Sequence, residues 1–497
     1  MKDILRDNIT EARELSCDVI RNLSKDIDNQ NVFCASSNIA LLALLVRIIR
    51  EGKQEAKIRA SSAIENISTS ISNIDVLVAN DLGLVKTLVN VLIEDNKNMS
   101  LISRVSGILR NLCVSHRVQR MLCSSRNKEV RGVVSTLVGV MRDALDEDVC
   151  DVLDNISNIA LQLSHLPDQG VFLSSPSLGL MHVLIEVLSR RQTGCGEVVC
   201  SALLNMTDLT EHESVLMVSI DPLKVPLSVE DRITTLKIQL TESQRQLLHG
   251  FSSKLLNALV KSIGEAVGVQ GSVVVYRCKL LALFVMFCDH TECFDRALLP
   301  GGGSEVEDVL LMWLWSSDRR NNNVVNFESE VSAAIALWSC SLVRNKHVHM
   351  SSNKCKLVTY LGMCLNDTSI DLGVVHRILF TVWNLVYLGD KHIANNLCTP
   401  PEQIANNMCK PTAHRSHNAN NLCTPPSELL LLLMTSTRRE ELRLGVLNLS
   451  SAILFSMTFR CDDEVARYLM SRKVGMIQCL FDVIRRSDGE GEVIILV

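Results

Sequence analysis

Five pentapeptides decide how this chain is read: IRNLS (Ile20–Ser24), IENIS (Ile64–Ser68), LRNLC (Leu109–Cys113), LDNIS (Leu153–Ser157) and LLNMT (Leu203–Thr207). Their asparagines lie 44, 45, 44 and 50 residues apart, a spacing that marks an array of repeats. The series continues through LFVMF (Leu283–Phe287), LWSCS (Leu337–Ser341), VWNLV around Asn384 and LNLS around Asn448, giving nine stations. A second pattern alternates with the first: TLVNVL (Thr87–Leu92), TLVGVM (Thr136–Met141), VLIEVL (Val183–Leu188) and ALVKSI (Ala258–Ile263), with looser copies around Leu44, Leu310, Leu357, Leu431 and Leu480. In both patterns apolar residues recur three and four apart, the stripe of an amphipathic helix. Shorter segments such as Asn73–Asp81 and Asp463–Met470 read as a small additional helix and turn. Three helices fit one period. No such unit buries its stripes alone, so neighbours must stack around a continuous core.

Composition agrees. Hydrophobic residues make up 47% of the 497 but aromatics only 4%, so Leu, Val, Ile, Ala and Met must fill the interior. Glycine (23) and proline (10) are too few for low-complexity disorder or a turn-rich β fold. The balance of 50 basic against 55 acidic side chains leaves a net charge of −5, which gives no reason to expect nucleic acid as a partner. The longest apolar run, Leu280–Cys288, is far short of the roughly 18 residues of a membrane span, so no membrane insertion is expected. Met1–Ser16 is charged throughout and carries no secretory pattern. A cytoplasmic protein is therefore expected, with the nucleus also open, and the 18 cysteines are expected as reduced thiols acting as small buried hydrophobes.

The period and the asparagine preceded by an apolar pair resemble armadillo repeats, over about residues 9–487. HEAT repeats are the nearest alternative. The resemblance implies an all-α, right-handed α-α superhelix of about nine to ten three-helix repeats. It also implies a non-enzymatic scaffold or adaptor that binds a protein or extended peptide in its concave groove. In such proteins the third-helix asparagine faces the groove and its amide bonds the backbone of a bound peptide. The matching positions are Asn22, Asn66, Asn111, Asn155, Asn205, Asn384 and Asn448. Asparagine is a poor helix-interior residue, so its return needs a cause. One amide offers both a donor and an acceptor, which suits a peptide unit of a ligand; it equally suits a tie between adjacent repeats. Both readings stand at this point.

Import adaptors of the importin-alpha type carry a Trp four residues before that Asn. Asp18, Ser62, Gly107, Asp151, Ser201, Phe380 and Leu444 stand there instead, which disfavours a nuclear transport receptor. The residue preceding the station runs Arg21, Glu65, Arg110 and Asp154, then Leu204, Phe284, Trp338, Trp383 and Leu447. If these line the groove, Arg110 is a polar contact, and Trp338 and Trp383 are its anchors; a stripe at helical spacing also suits core. A non-catalytic subunit of an enzyme complex such as a ubiquitin ligase is a further alternative. No nucleophile elbow, kinase signature or metalloprotease helix is present, and no enzyme activity or cofactor is expected. Cys288-Asp-His290-Thr-Glu-Cys293 lacks the second close pair of a zinc site, and no metal is expected.

Two intervals exceed the period. Between Asn205 and Val285 lie 80 positions, which places an insertion at about 221–246 within a single array of residues 1–490. Between Asn384 and Asn448 lie 64, where ANNLCTPP at Ala394–Pro401 recurs letter for letter at Ala419–Pro426. That duplication makes 391–426 an exposed loop, with 491–497 a terminal tail. The oligomeric state is not set by these patterns.

Overall fold

The computed structural model describes residues 10–95, 97–123, 128–166, 169–190, 194–209, 240–266, 274–287, 306–316, 325–342 and 372–389, with isolated positions at 350–351, 357, 360, 393, 397 and 453. Every regular element among the described residues is helical. Residues Met1–Thr210 and Glu211–Val497 form two compact units, divided about ten residues before the expected insertion. Most of 221–246, the loop 391–426 apart from Ile393 and Leu397, the tail 491–497, the Cys288–Cys293 cluster and Asn448 lie outside the described residues; Ile393 and Leu397 are 3% and 1% exposed, which corrects the expectation of an exposed loop at those two positions.

In the first unit the third helices of successive repeats are α1 (Thr10–Leu23), α4 (Gln54–Ser68), α7 (Met99–Leu112), α10 (Cys150–Ser164) and α13 (Gly196–Met206). The second helices are α3 (Ile39–Glu51), α6 (Leu84–Glu94), α9 (Lys128–Asp146) and α12 (Leu180–Ser189). Between each third helix and the next second helix lies a short first segment: α2 (Ile27–Cys34), α5 (Ile74–Leu77), α8 (His116–Cys123) and α11 (Gly170–Leu173). Each third helix packs on the next, α1 on α4, α4 on α7, α7 on α10 and α10 on α13. Second helices do the same, and each also packs on the third helix of its own repeat. The result is a two-layer stack, the solenoid arrangement that repeated amphipathic stripes require.

The stripes explain the layering. Along α3, Leu41, Leu42, Leu44, Leu45, Val46, Ile48 and Ile49 are buried while Ala43, Arg47 and Arg50 face out. Along α6 the same face carries Leu84, Val85, Leu88, Val91 and Leu92. Gly83 and Gly179 precede α6 and α12 with φ of +60° and +69°, a left-handed turn that side chains strain to adopt. The cysteines fit the expectation of small core groups: eight of the nine among the described residues are buried. Burial pushes the Cys17 and Cys123 thiols up to about 12 and Cys34 to about 11.

In the second unit a short capped turn, α14 (Glu242–Arg245), starts at Thr241, whose side chain and that of Gln244 cap each other's backbone. Second helices α15 (Ser252–Glu265) and α17 (Val306–Ser316) pack against third helices α16 (Val275–Phe287) and α18 (Val325–Cys340), and α19 (Leu372–Leu388) packs on α18. No single helix among the described residues is long and apolar enough to cross a membrane.

The core of this second unit holds the large aromatics. Trp338 and Trp383 are 2% and 4% exposed, which corrects the expectation that they anchor a partner from the groove. They fill the interior of α18 and α19, where an aliphatic-rich sequence has few other bulky groups. The Arg377 guanidinium lies 5.9 Å from the Trp338 ring, and Phe380 meets Trp383 edge-on at 6.0 Å. Burial holds Arg377 below the usual arginine range, and it holds His376 below the usual histidine range with help from the Arg377 charge. Replacing Trp338 by Ala is expected to destabilise the second unit by about 3–5 kcal/mol through an unfilled cavity. Urea unfolding followed by the fluorescence of Trp313, Trp315 and Trp383 checks this; a loss below about 1 kcal/mol would place the indole at a surface.

Candidate functional site: the asparagine row and the third-helix face

The repeated asparagines point toward the preceding repeat. Asn66 Nδ2 donates to the Arg21 carbonyl at 3.0 Å and to Ser24 Oγ at 3.2 Å. One repeat on, Asn111 Nδ2 donates to Ser68 Oγ at 2.9 Å and reaches the Glu65 carbonyl at 3.5 Å. In the second unit Asn384 Nδ2 donates to Ser341 Oγ at 2.9 Å. Each acceptor is a serine two residues beyond its own station and buried, Ser24 and Ser341 at 0% exposure and Ser68 at 1%. The serine hydroxyl in turn donates to a carbonyl three residues back: Ser24 to Arg21, Ser68 to Glu65 and Ser341 to Trp338. This arrangement explains why the motif ends in a small hydroxyl residue. A serine there closes its own helix and still offers a lone pair to the next repeat.

Asn155 is different, and it corrects the register read from sequence. Asn22, Asn66, Asn111 and Asn205 sit one or two residues from the end of their helix and Asn384 four, whereas Asn155 lies nine residues before the end of α10. The position equivalent to them is Gln162, in the run Ala160-Leu-Gln-Leu-Ser164. Ser164 confirms this, since it donates to the Leu161 carbonyl and accepts from Asn205 Nδ2 at 3.3 Å, while Ser157 makes no hydrogen bond. The true spacings from Asn111 are therefore 51 to Gln162 and 43 to Asn205. Asn155 sits seven residues, two helical turns, before Gln162 and so on the same helix face. It makes the same tie there, from Nδ2 to Ser106 Oγ at 3.2 Å and to the Ser103 carbonyl at 3.2 Å. Cys113 stands where the regular acceptor serine would be. The loss of a hydroxyl at one level thus coincides with a tie two turns earlier.

Around this row runs a set of partly exposed charges on the third helices. Arg59 pairs with Asp18, which also meets Arg21 at 3.1 Å. Glu65 meets Arg104 at 3.1 Å, and Arg110 reaches Asp154 at 3.7 Å. Arg110 Nε and Nη2 also donate to Asn111 Oδ1 at 3.4 Å. Arg104, Arg110 and Asp154 keep 46%, 38% and 44% of their side-chain surface. Glu65 lies across Gly107, where a Cβ would collide with its carboxylate. From Leu204 onward the residues before the stations are buried and apolar: Leu204 and Phe284 at 0%, then Trp338 and Trp383. Among the predicted residues the structure therefore brings Asn66, Asn111, Asn155 and Arg110 together along one face. It places Asn205 at the end of that unit, bonded to Ser164 and 3.2 Å from His165 Nδ1, and it puts Asn384, Trp338 and Trp383 in the second unit. The residues missed from sequence are the acceptor serines and Gln162.

No family model matches this chain, and no curated protein matches it. Among solved structures, it is similar to the crystal structure of an engineered protein at 15% identity and a TM-score of 0.48, covering 92% of this chain and 98% of that one. A structure concerning the interaction between cadherin and beta-catenin, described as controlled by a conserved phosphorylation switch, shares 14% identity at a TM-score of 0.41, covering 97% and 89%. Likenesses this distant carry no inference, so the helical-repeat assignment rests on this chain's own helices and their packing.

If the tie selects asparagine, Asn111 and Ser68 are coupled. Asn111→Ala and Ser68→Ala are each expected to cost about 1–2 kcal/mol, and the double variant less than their sum by about 1 kcal/mol. Chemical denaturation of the four proteins in the cycle measures the coupling; strictly additive losses would show that the amide and hydroxyl act separately.

Proposed function

We propose that this chain is a non-enzymatic protein-binding scaffold of armadillo type, which takes an extended segment of a partner protein across the third helices of its first unit. The observation that carries this reading is the set of partly exposed charges on neighbouring third helices, Arg21, Glu65 and Arg110 one residue before their stations and Asp154 eight residues before Gln162. Adjacent helix axes lie roughly 8–10 Å apart, close to three residues of extended chain at about 3.3 Å each, so successive repeats match successive ligand triplets. Such a surface supplies positioned donors and acceptors, which suits recognition of an extended segment.

The asparagines support the surface from beneath. With their Nδ2 groups donating to the preceding repeat, they fix the spacing at which the charged residues are presented. Binding then falls to Arg104, Arg110 and Asp154, and to the remaining acceptor capacity of the amides. The armadillo assignment is supported by the three-helix period and the asparagine station. A cytoplasmic or nuclear setting accords with the reduced, buried thiols. A partner with basic nuclear-import character is not favoured, because no Trp stands four residues before the stations.

Affinity purification from the native cell tests this reading. Relative to the unaltered chain, Arg104→Ala with Arg110→Ala is expected to lose a specific partner by at least about tenfold, at an unchanged melting temperature, since interface arginines often carry 2 kcal/mol or more, about. An unchanged partner set with both arginines removed would sink the proposal.

A further inference from the structure

Seven residues before the station, side chains of the first unit reach back to the preceding third helix: Arg59 to Asp18, Arg104 to Glu65 and Asn155 to Ser106. The same position of α19 is Arg377, seven residues before Asn384. In the first unit each arginine finds a carboxylate. Asp18 stands four residues before the station of α1, and Glu65 one residue before the station of α4. Arg377 packs on α18 in the same way, but the residues four and one before that station, Ser339, are Ile335 and Trp338, both buried. The guanidinium lies 5.9 Å from the Trp338 ring, so the indole takes the place that the Glu65 side chain has against Arg104.

The exchange of a carboxylate for an indole leaves a cation without its counter-charge. Helix α19 itself carries no acidic residue. Among the described residues no carboxylate meets Arg377, and its burial is not offset by an opposite charge. The side chain is half-buried, partly desolvated yet still in reach of a ligand. A charge taken out of water is costly until it is paired. The Trp338 face meanwhile holds the planar guanidinium by a cation–π contact, which consumes none of its N–H donors. His376, the adjacent residue, is held toward its neutral form by burial and by the Arg377 charge, so it adds no second charge beside the first.

We propose that Arg377, held against Trp338, is a binding site for an acidic side chain, Asp or Glu, of a partner segment lying across α18 and α19. The ligand carboxylate does for Arg377 what Glu65 does for Arg104 within the chain, and the guanidinium fork can meet its two oxygens with two N–H donors. A single guanidinium matches a singly charged carboxylate. A phosphate dianion would bring a second negative charge to a half-buried place with nothing to compensate it. This site belongs to the second unit and stands whether or not the charged row of the first unit binds a partner.

The probe is a fluorescein-labelled peptide of alternating Ser and Glu, titrated with the full chain at about 0.1 M salt, where distant charges are screened, and read by fluorescence anisotropy. Saturable binding is expected, and the matching Ser-Gln peptide is expected to bind at least about tenfold more weakly. Arg377→Met keeps an unbranched side chain over Trp338 and removes the charge; it is expected to weaken the Ser-Glu peptide at least about tenfold as well. Where that variant fails to fold, Arg377→Lys serves, since it keeps the charge but loses the stacked fork, and a several-fold weakening is expected. Arg104→Ala with Arg110→Ala is expected to leave this binding intact. No saturable binding below about 1 mM would overturn the proposal. So would an affinity that Arg377→Met or Arg377→Lys leaves unchanged, or one lost with Arg104 and Arg110, because the acidic segment would then sit on the first unit. Inorganic phosphate displacing the peptide at concentrations where acetate does not would overturn the choice of a carboxylate.

Discussion

The hydrogen bond from an asparagine amide to a serine hydroxyl of the preceding repeat is the constraint on which the register of this array depends. Apolar stripes make third helices stack, but Leu against Leu or Ile tolerates sliding and rotation, since burial is non-directional. A buried amide does not tolerate them. Moved off its acceptor, an amide as buried as Asn155 or Asn384, each 5% exposed, would be left desolvated and unpaired, at a cost of about 1–3 kcal/mol, and the half-buried Asn66 and Asn111 would lose less. Asn66, Asn111, Asn155 and Asn384 thus fix which turn of one helix faces which turn of the next. The energy of stacking comes from the aliphatic core, and its uniqueness from these polar ties.

The local variation follows from the same constraint. Where Cys113 replaces the serine, no hydroxyl is available at the regular level, and the tie appears at Ser106 and Asn155, two turns earlier. Two turns preserve the helix face, so the stack continues without rotation. The step from α16 to α18 carries Val285 and Phe287 in place of the asparagine and serine, both buried, and is made by apolar packing. The second unit accordingly holds the large aromatics, whose shapes supply the fit that ties supply in the first.

Much of this was legible in the sequence because the repeat is periodic. The helices carrying TLVNVL, TLVGVM, VLIEVL and ALVKSI all form where the apolar spacing places them, as α6, α9, α12 and α15. What misled was identity of letters: LDNIS at 153–157 matches the motif better than ALQLS at 160–164, yet only the latter ends its helix and offers its serine to Asn205. A one-dimensional match cannot see that positions seven apart share a face. Trp338 and Trp383 misled for a related reason, since periodicity assigns residues to a stripe without saying whether that stripe meets solvent. The terminal serine of the motif carried its signal openly, but its meaning lay in the partner 42 or 43 residues on.

The central claim is that the tie, rather than the particular residue, sets the register, and moving the tie tests it most directly. Asn155→Leu removes the shifted bond; adding Gln162→Asn and Cys113→Ser to that variant builds the bond at its regular level. Urea unfolding of the first unit's transition should show a loss of about 1–3 kcal/mol in the first protein and recovery of most of it in the second. A second protein no more stable than the first would contradict the account, because the asparagine would then be held at its station for some reason other than the serine it meets.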